Sequence, residues 1–406
     1  MRLLVAFTSV LFFAACSSYQ NPELKLGIWR GVIDIQGNEL PFNFEVFKDS
    51  TERLNINIRN GEEKLLLDEI TFFKDSVIIS LHIFDAQLNA KVENDSLKGF
   101  FIKNYEKNYR LPFKAAYSQS FRFSNSDTEV KTDFSGKYAV KFIHESDTSD
   151  AIGIFKQKDA ILEGTFLKIS GDYRYLEGSV VNNKMNLSAF DGNHAYLFIA
   201  EKINDSTLTG DFWSGKSRHD RWIAVKNENA TLPDLESLTF LNKGYDKLAF
   251  SFPDLNNSKI SLSDEKYKGK VVIVQLLGSW CPNCMDETKF LVPWYDQNKK
   301  RGIEIIGLAY EAKSDFNYAS NRVRKMKEKL KINYDLAIAG VKDNAEASKT
   351  LPMLNGIQAF PTTIFIGKDG KVKKIHTGFA GPGTGVYYDE FVQNFNETVS
   401  ELVNSQ

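Results

Sequence analysis

The stretch KVVIVQLLGSWCPNCMDE, Lys270 to Glu287, decides how the chain is read. Its first residues, Lys270 to Gly278, are nearly continuously apolar, the pattern of a strand buried on both faces. Cys281 and Cys284 follow, and between them Pro282 suits a first helical turn, because it forgoes an N–H that would be unpaired there. A cysteine placed between a buried strand and a helix lies at the helix N-terminus, where free N–H groups and the helix dipole favour negative charge. A thiolate is stabilised in that position, its pKa falls, and more of it is reactive near neutral pH. Two intervening residues bring Cys284 within disulfide reach of Cys281. Cys281 is then the attacking sulfur and Cys284, further inside the helix, the resolving one.

Two other fates are open to such a pair: half of a zinc site, or two small core residues. A structural zinc site usually takes four Cys or His ligands. The chain has no second CxxC, and its five histidines (His82, His144, His194, His219 and His376) show no ligand spacing. Only His376 lies in the same part of the chain as the pair, so the text favours redox chemistry and no metal.

Downstream, IEIIGLAY (Ile303 to Tyr310) reads as a second buried strand and DFNYASNRVRKMKEKLK (Asp315 to Lys331) as a charged surface helix. YDLAIAG and AFPTTIFIG (Ala359 to Gly367) read as strands, followed by KVKKIHTG and a closing helix near Tyr388 to Val403. Buried strands alternating with helices, then two antiparallel strands and a last helix, describe an α/β sandwich.

With GKVVIVQLLGSWCPNC, GIEIIGLAYE and AFPTTIFIGKDGKVKKIHTGF in view, residues from about Phe250 to Val403 resemble a thioredoxin-fold domain. More closely, they are similar to the membrane-anchored thiol-disulfide oxidoreductases of the TlpA/ResA type. The resemblance implies a cofactor-free dithiol/disulfide exchange enzyme acting on protein or small-molecule thiols and disulfides. It also implies an upstream membrane thiol reductase if the protein works as a reductant, the direction favoured here. FPTT matches the family's cis-proline strand, which makes Pro361 the cis residue and gives the backbone of Phe360 to an extended substrate segment. Trp280 and Pro282 would flank the substrate. In the family a carboxylate at the position of Glu287, three residues beyond Cys284, shuttles a proton. The alternative for Glu287 is an exposed first-turn carboxylate complementing the helix dipole, the part expected of its neighbour Asp286. The chain departs from the family twice: Lys289 replaces a common helix-kinking proline, with Pro293 appearing later, and QLLGS replaces an aromatic-rich lead-in.

The half before this domain has another rhythm. LPFNFEVF (Leu40 to Phe47) and RLNINIR (Arg53 to Arg59) alternate apolar and polar residues, as strands with one buried and one wet face do. No helix is expected there, and the abundance of Phe (31) and Tyr (16) fits pleated structure. SVIISLHIFDAQLNAKVENDSLKGFF (Ser76 to Phe101) is echoed by KMNLSAFDGNHAYLFIAEKINDSTLTGDFW (Lys184 to Trp213), each with an FD pair before an NDS turn. The expected architecture is therefore multidomain: two repeated all-β units, each an antiparallel barrel or sandwich, before an α/β thioredoxin-like sandwich. The boundaries are 27–117 and 134–226 for the β units, 227–247 for a linker and 248–406 for the last domain.

The start, MRLLVAFTSVLFFAACSSYQ, reads as a targeting segment: Arg2, a short apolar core, then small residues. FAAC resembles a bacterial lipobox, so residues 1–15 are expected to be a lipoprotein signal peptide and 16–26 a tether lipidated at Cys16. That places the protein in the bacterial cell envelope, held to a membrane and facing the periplasm, and leaves Cys281 and Cys284 as the only cysteines of the mature chain. A formal net charge of -1 without a long basic run argues against nucleic acid. Two competing functions remain: a peroxide-reducing redoxin on the same fold, or an envelope ligand- or partner-binding lipoprotein with secondary redox activity.

Overall fold

The structure is a computed structural model that describes residues 23–124, 130 and 132–405. The signal segment and Cys16 lie outside the described residues, as does part of the join between the two β units.

The first unit is one meandering antiparallel sheet of β1 (Gly27–Ile35), β2 (Asn38–Lys48), β3 (Leu54–Asn60), β4 (Glu63–Leu67), β5 (Ile70–Phe73), β6 (Ser76–Ser80), β7 (Ala86–Glu93), β8 (Ser96–Lys103) and β9 (Arg110–Tyr117). Its order is 4-3-2-1-9-8-7-6-5, so the first and last strands pair and the edges fall at β4 and β5. Trp29 is wholly buried opposite Phe44 and Tyr117, which fixes the register of the pairing.

The second unit repeats the meander with β10 (Gly136–His144), β11 (Asp147–Lys158), β12 (Ile161–Lys168), β13 (Gly171–Asp172), β14 (Leu176–Val181), β15 (Lys184–Phe190), β16 (Ala195–Asn204), β17 (Thr207–Ser214) and β18 (Arg218–Lys226). Here β11 pairs with β12 and β12 with β14, which closes the ring into a barrel. Packed aromatics fill its interior, among them Phe142, Phe166, Phe198, Phe212 and Trp222.

The expected one-wet-face pattern gives way in β2, where Leu40 to Phe44 are all buried. The strand packs against β15: Ser188 Oγ donates to the Pro41 carbonyl at 2.5 Å, and Phe42, from the inward-facing set, meets Phe190 at 4.7 Å. Buried Arg122 joins the same seam, donating to the carbonyls of Ser188 (3.0 Å) and Arg59 (2.6 Å) and to Glu177 (3.0 Å).

In the last domain β21 (Val271–Leu277) is central and buried along its whole length, parallel to β22 (Ile303–Glu311) and antiparallel to β24 (Thr362–Ile366). Strands β23 (Asp335–Val341) and β25 (Val372–Thr377) lie outside them, and β19 (Ser251–Pro253) with β20 (Lys259–Ser261) forms a separate small hairpin. Among the described residues four α-helices accompany the sheet: α1 (Pro282–Asn298), α2 (Phe316–Leu330), α3 (Asn344–Thr350) and α4 (Val386–Asn404). The short α3 and the hairpin are the elements that sequence patterning missed. Residues 227–247 do not hang free: Asn242 bonds the backbone at Pro352, Met353 and Leu354, and the Asp246 carbonyl accepts from Val372 N–H.

The units are fastened to one another by charge. Helix α2 lies against the first sheet, with Lys325 on Glu69 (2.6 Å), Lys329 on Asp68 (2.5 Å) and Tyr318 OH on Asp85 (2.9 Å). Deeper in, Arg174 of the second unit meets Glu63 of the first, its own unit's Asp191 (3.4 Å) and Asp286 of α1 (2.7 Å). Burial opposes the charge, but Asp286, Glu63 and Asp191 together hold the guanidinium well above the usual arginine value. Burial also pushes the Glu63 carboxyl upward against the pull of Arg174. Removing Arg174 would leave Glu63 without an ion-pair partner among the described residues and take the enclosed guanidinium from Asp191 and Asp286, which would keep only His194 (3.1 Å) and Lys289 (3.4 Å). Arg174→Ala is expected to cost about 3–5 kcal/mol, read as a lower urea midpoint and a lower melting temperature.

Candidate active site

The chain enters the site from β21 and turns at Ser279 and Trp280 before α1 begins. The turn is held from β22: Glu311, buried, accepts from Ser279 N–H (2.8 Å) and from Ser279 Oγ (2.7 Å), and Trp280 Nε1 donates to the Tyr310 carbonyl (2.8 Å). Burial raises the Glu311 carboxyl, and the two Ser279 bonds pull it back. Cys281 is the N-cap of α1, with extended backbone, and its Sγ accepts from Cys284 N–H at 3.2 Å. Cys281 and Cys284 are joined as a disulfide with Cα atoms 5.2 Å apart. Cys281 keeps 5% exposure and Cys284 none. The helix continues through Pro293 to Asn298, and Pro293 offers no N–H to the turn before it.

Across from the pair, the Phe360–Pro361 peptide bond is cis, and the Phe360 carbonyl oxygen lies 3.6 Å from Cys281 Sγ. The Phe360 ring stands edge-on to Trp280 at 5.9 Å. Trp280 is partly exposed, and Lys342 Nζ lies 5.7 Å from its ring centroid.

Glu287 is fully buried one turn beyond Cys284. Its carboxylate accepts from Gln275 Nε2 (2.6 Å) and Thr363 Oγ1 (2.7 Å). Burial pushes it up to about 7, with both bonds pulling the other way. The dipole-complementing role expected of Asp286 does not hold. Asp286 is turned inward onto Arg174, because the second barrel packs against this face of α1 and brings a cation there.

That barrel supplies the part of the site which sequence reasoning missed. Asn283 Nδ2 donates to the Asp172 carbonyl (3.1 Å), Gly381 N–H donates to the Asp172 carboxylate (2.6 Å), and Asn193 Nδ2 donates to the Trp280 carbonyl (2.8 Å). Tyr105 OH of the first unit donates to Asn193 (2.8 Å), so all three units meet beside the disulfide. Gly171 sits at φ 125°, and a Cβ there would collide with Asn283, so this approach requires glycine. One signal was available: Gln275, a polar side chain inside an otherwise apolar strand, marked a buried hydrogen-bond partner. Arg174, Asp172 and Asn193 carried none. Among the described residues no group of His, Cys, Asp and Glu is arranged to hold a metal ion, and no helix is long and apolar enough to cross a membrane.

The family model described as Redoxin matches residues 229–388. The chain is similar to the thiol-disulfide oxidoreductase ResA of Bacillus subtilis (strain 168), 27% identical over 150 residues, which is 37% of this chain and 74% of that protein. It is 32% identical over 123 residues to ResA of Bacillus thuringiensis subsp. konkukian, covering 30% of this chain and 62% of the relative. Among solved structures, a thioredoxin-family thiol:disulfide interchange protein from Chlorobium tepidum TLS aligns with TM-score 0.31 and 20% identity, over 40% of this chain and 99% of that one. The Redoxin match falls in the C-terminal part of the chain, and the two β units precede it as a distinct region. The C-terminal domain is a redoxin-type, thioredoxin-like fold, and its close Cys281–Cys284 pair supports thiol-disulfide oxidoreductase catalysis.

Proposed function

We propose that the protein reduces disulfides in the bacterial cell envelope by dithiol exchange through Cys281 and Cys284. The observation that carries this is the Cys281–Cys284 disulfide at the N-terminus of α1, facing the Phe360 carbonyl from across a cis-proline turn. The Cys281 thiolate, favoured by the helix N-terminus, attacks a substrate disulfide, and Cys284 resolves the mixed disulfide. Trp280, Pro282, Phe360 and Pro361 form the substrate-facing rim. An envelope thiol reductase returns the pair to its dithiol form. Cleavage before Cys16 and its acylation tether the domains 27–117, 134–226 and 248–406 to a membrane, with 227–247 connecting the last two. Acyl chains contribute about 0.8 kcal/mol per buried methylene.

Glu287 is the proton-exchanging group in this scheme. It is enclosed one turn beyond the resolving cysteine and titrates near neutral pH, where a general acid/base is most effective.

Cys284→Ser is expected to accumulate mixed disulfides with substrate, and Cys281→Ser none, on non-reducing gels with mass spectrometry. The potential of the 281–284 couple should lie near that of reductants of this fold, about -270 mV; a value near about -120 mV would make the protein an oxidant. Glu287 has a folded value near 7 against an ordinary 4.5, so its neutral form stabilises the fold below pH 4.5 and that stability is lost as pH rises through 7. Between roughly pH 5 and pH 8, wild type should therefore lose about 2–3 kcal/mol relative to Glu287→Gln, in urea melts of the oxidised forms. Cys16→Ala should move the protein from the membrane to the soluble fraction and abolish labelling by palmitate.

A further inference from the structure

The disulfide opens into a cleft rather than onto a flat protein surface. Cys281 lies at the floor of a cleft of about 280 Å³. Trp280 and Phe360 bound it on one side, and Lys168, Tyr173, Tyr196 and Arg218 of the second barrel bound it on the other. The walls are tied at the sulfur by the bonds from Asn283 to Asp172 and from Asn193 to Trp280. Even a transient redox encounter between folded proteins needs an open contact face, up to about 1,200 Å² buried in total. Here the barrel occupies that face, and the space left is at the small end of the roughly 300–1,000 Å³ typical of small-molecule sites.

The cleft also has an unmatched charge. Lys168 Nζ donates to Ser149 Oγ (2.8 Å) and lies 5.1 Å from the centroid of the Phe142 ring, with no carboxylate within ion-pair distance among the described residues. Arg218 is matched by Asp220 (2.8 Å) and His194 by Asp191 (3.1 Å). The acidic group of the cleft, Asp172, accepts from the N–H groups of Gly381 and Arg174. Burial lowers the Lys168 ammonium from the ordinary lysine value, a cost that an anion in the cleft would offset.

We propose that the second barrel is the substrate-recognition wall of the redox site, and that it admits low-molecular-weight disulfides bearing a carboxylate, which Lys168 reads. The proposal rests on the thiol-disulfide exchange put forward above. Starting from the dithiol, the Cys281 thiolate attacks one sulfur of R–S–S–R, forming Cys281–S–S–R and releasing R–S⁻. Cys284 loses its proton and attacks the Cys281 sulfur, which expels the second R–S⁻ and closes the 281–284 disulfide. Two electrons pass to the substrate, the two thiolates are protonated from solvent, and a dithiol reductant restores the pair.

The test is single-turnover oxidation of the pre-reduced full chain. Three disulfides are compared: oxidised glutathione (small, carboxylated), bis(2-hydroxyethyl) disulfide (small, neutral) and insulin (a protein). Each rate is divided by that of dithiothreitol with the same disulfide. Oxidised glutathione should give the highest normalised rate. Lys168→Met should lower the glutathione-to-hydroxyethyl ratio by roughly five- to tenfold, the effect of one partly screened charge contact. Lys168→Arg should restore it, which separates lost charge from lost structure. Insulin as the fastest substrate, or a ratio unmoved by Lys168→Met in protein of unchanged circular dichroism, would overturn the proposal. Rates no higher than those of Cys281→Ser with all three disulfides would instead sink thiol-disulfide exchange itself.

Discussion

Arg174 holds a permanent charge out of water, between carboxylates drawn from three separate parts of the chain. Glu63 comes from the first sheet, Asp191 from a loop of the second barrel, and Asp286 from the helix that begins at Cys281. An ion taken into a low-dielectric interior is tolerated only where its partners are in place, so such a cluster fixes geometry more firmly than it adds stability. The consequence reaches the redox pair. Asp286 is two residues from Cys284 on the same helix, so the helix N-terminus is held against the barrel and the cleft above the disulfide has a defined second wall.

Around the sulfurs the structure repeats one device. Glu287 and Glu311 are both fully enclosed, one behind the helix and one behind the turn that precedes it, and each accepts two hydrogen bonds. Burial raises both carboxyls while the hydrogen bonds oppose it. Glu311 holds the Ser279–Trp280 turn in place and so sets where the helix starts. Glu287 is bonded to the neutral groups Gln275 and Thr363, and among the described residues no cation pairs with it to keep it ionised, so burial raises its carboxyl to about 7.

Much of the C-terminal domain was legible because its signals are local. The run from Val271 to Leu277 could only be a doubly buried strand, Pro282 marks a helix start, and Asp315 heads a charged helix as its N-cap, accepting from Tyr318 N–H. The β units were legible through alternation and through the repeated FD and NDS turns, which fall at equivalent bends before β7 and β8 and before β16 and β17. Closure was not. Both units run the same meander, yet only the second pairs β12 with both β11 and β14, and that choice depends on strand tilt and stagger accumulated around the ring. The outer face of β2 was misjudged for a related reason: a strand's pattern reports that a face is buried, but not which neighbour from another unit will cover it.

That Pro361 faces the pair was an implication of the family resemblance; by itself, the sequence determined that a strand–CxxC–helix unit exists, that Cys281 caps the helix, and that two similar β-rich units come first. Each follows from neighbouring residues, through periodicity, capping and spacing. Only the tertiary structure decided that Asp286 turns inward, that Glu287 is sealed from water, and that Lys168, Tyr173 and Tyr196 stand over the disulfide. Those side chains come from segments more than a hundred residues from the cysteines in some cases, and what they do depends on packing between units. A carboxylate beside a helix start reads the same in one dimension whether water or an arginine lies across from it; the dielectric and the partner, which set its charge and its task, exist only once the chain has folded.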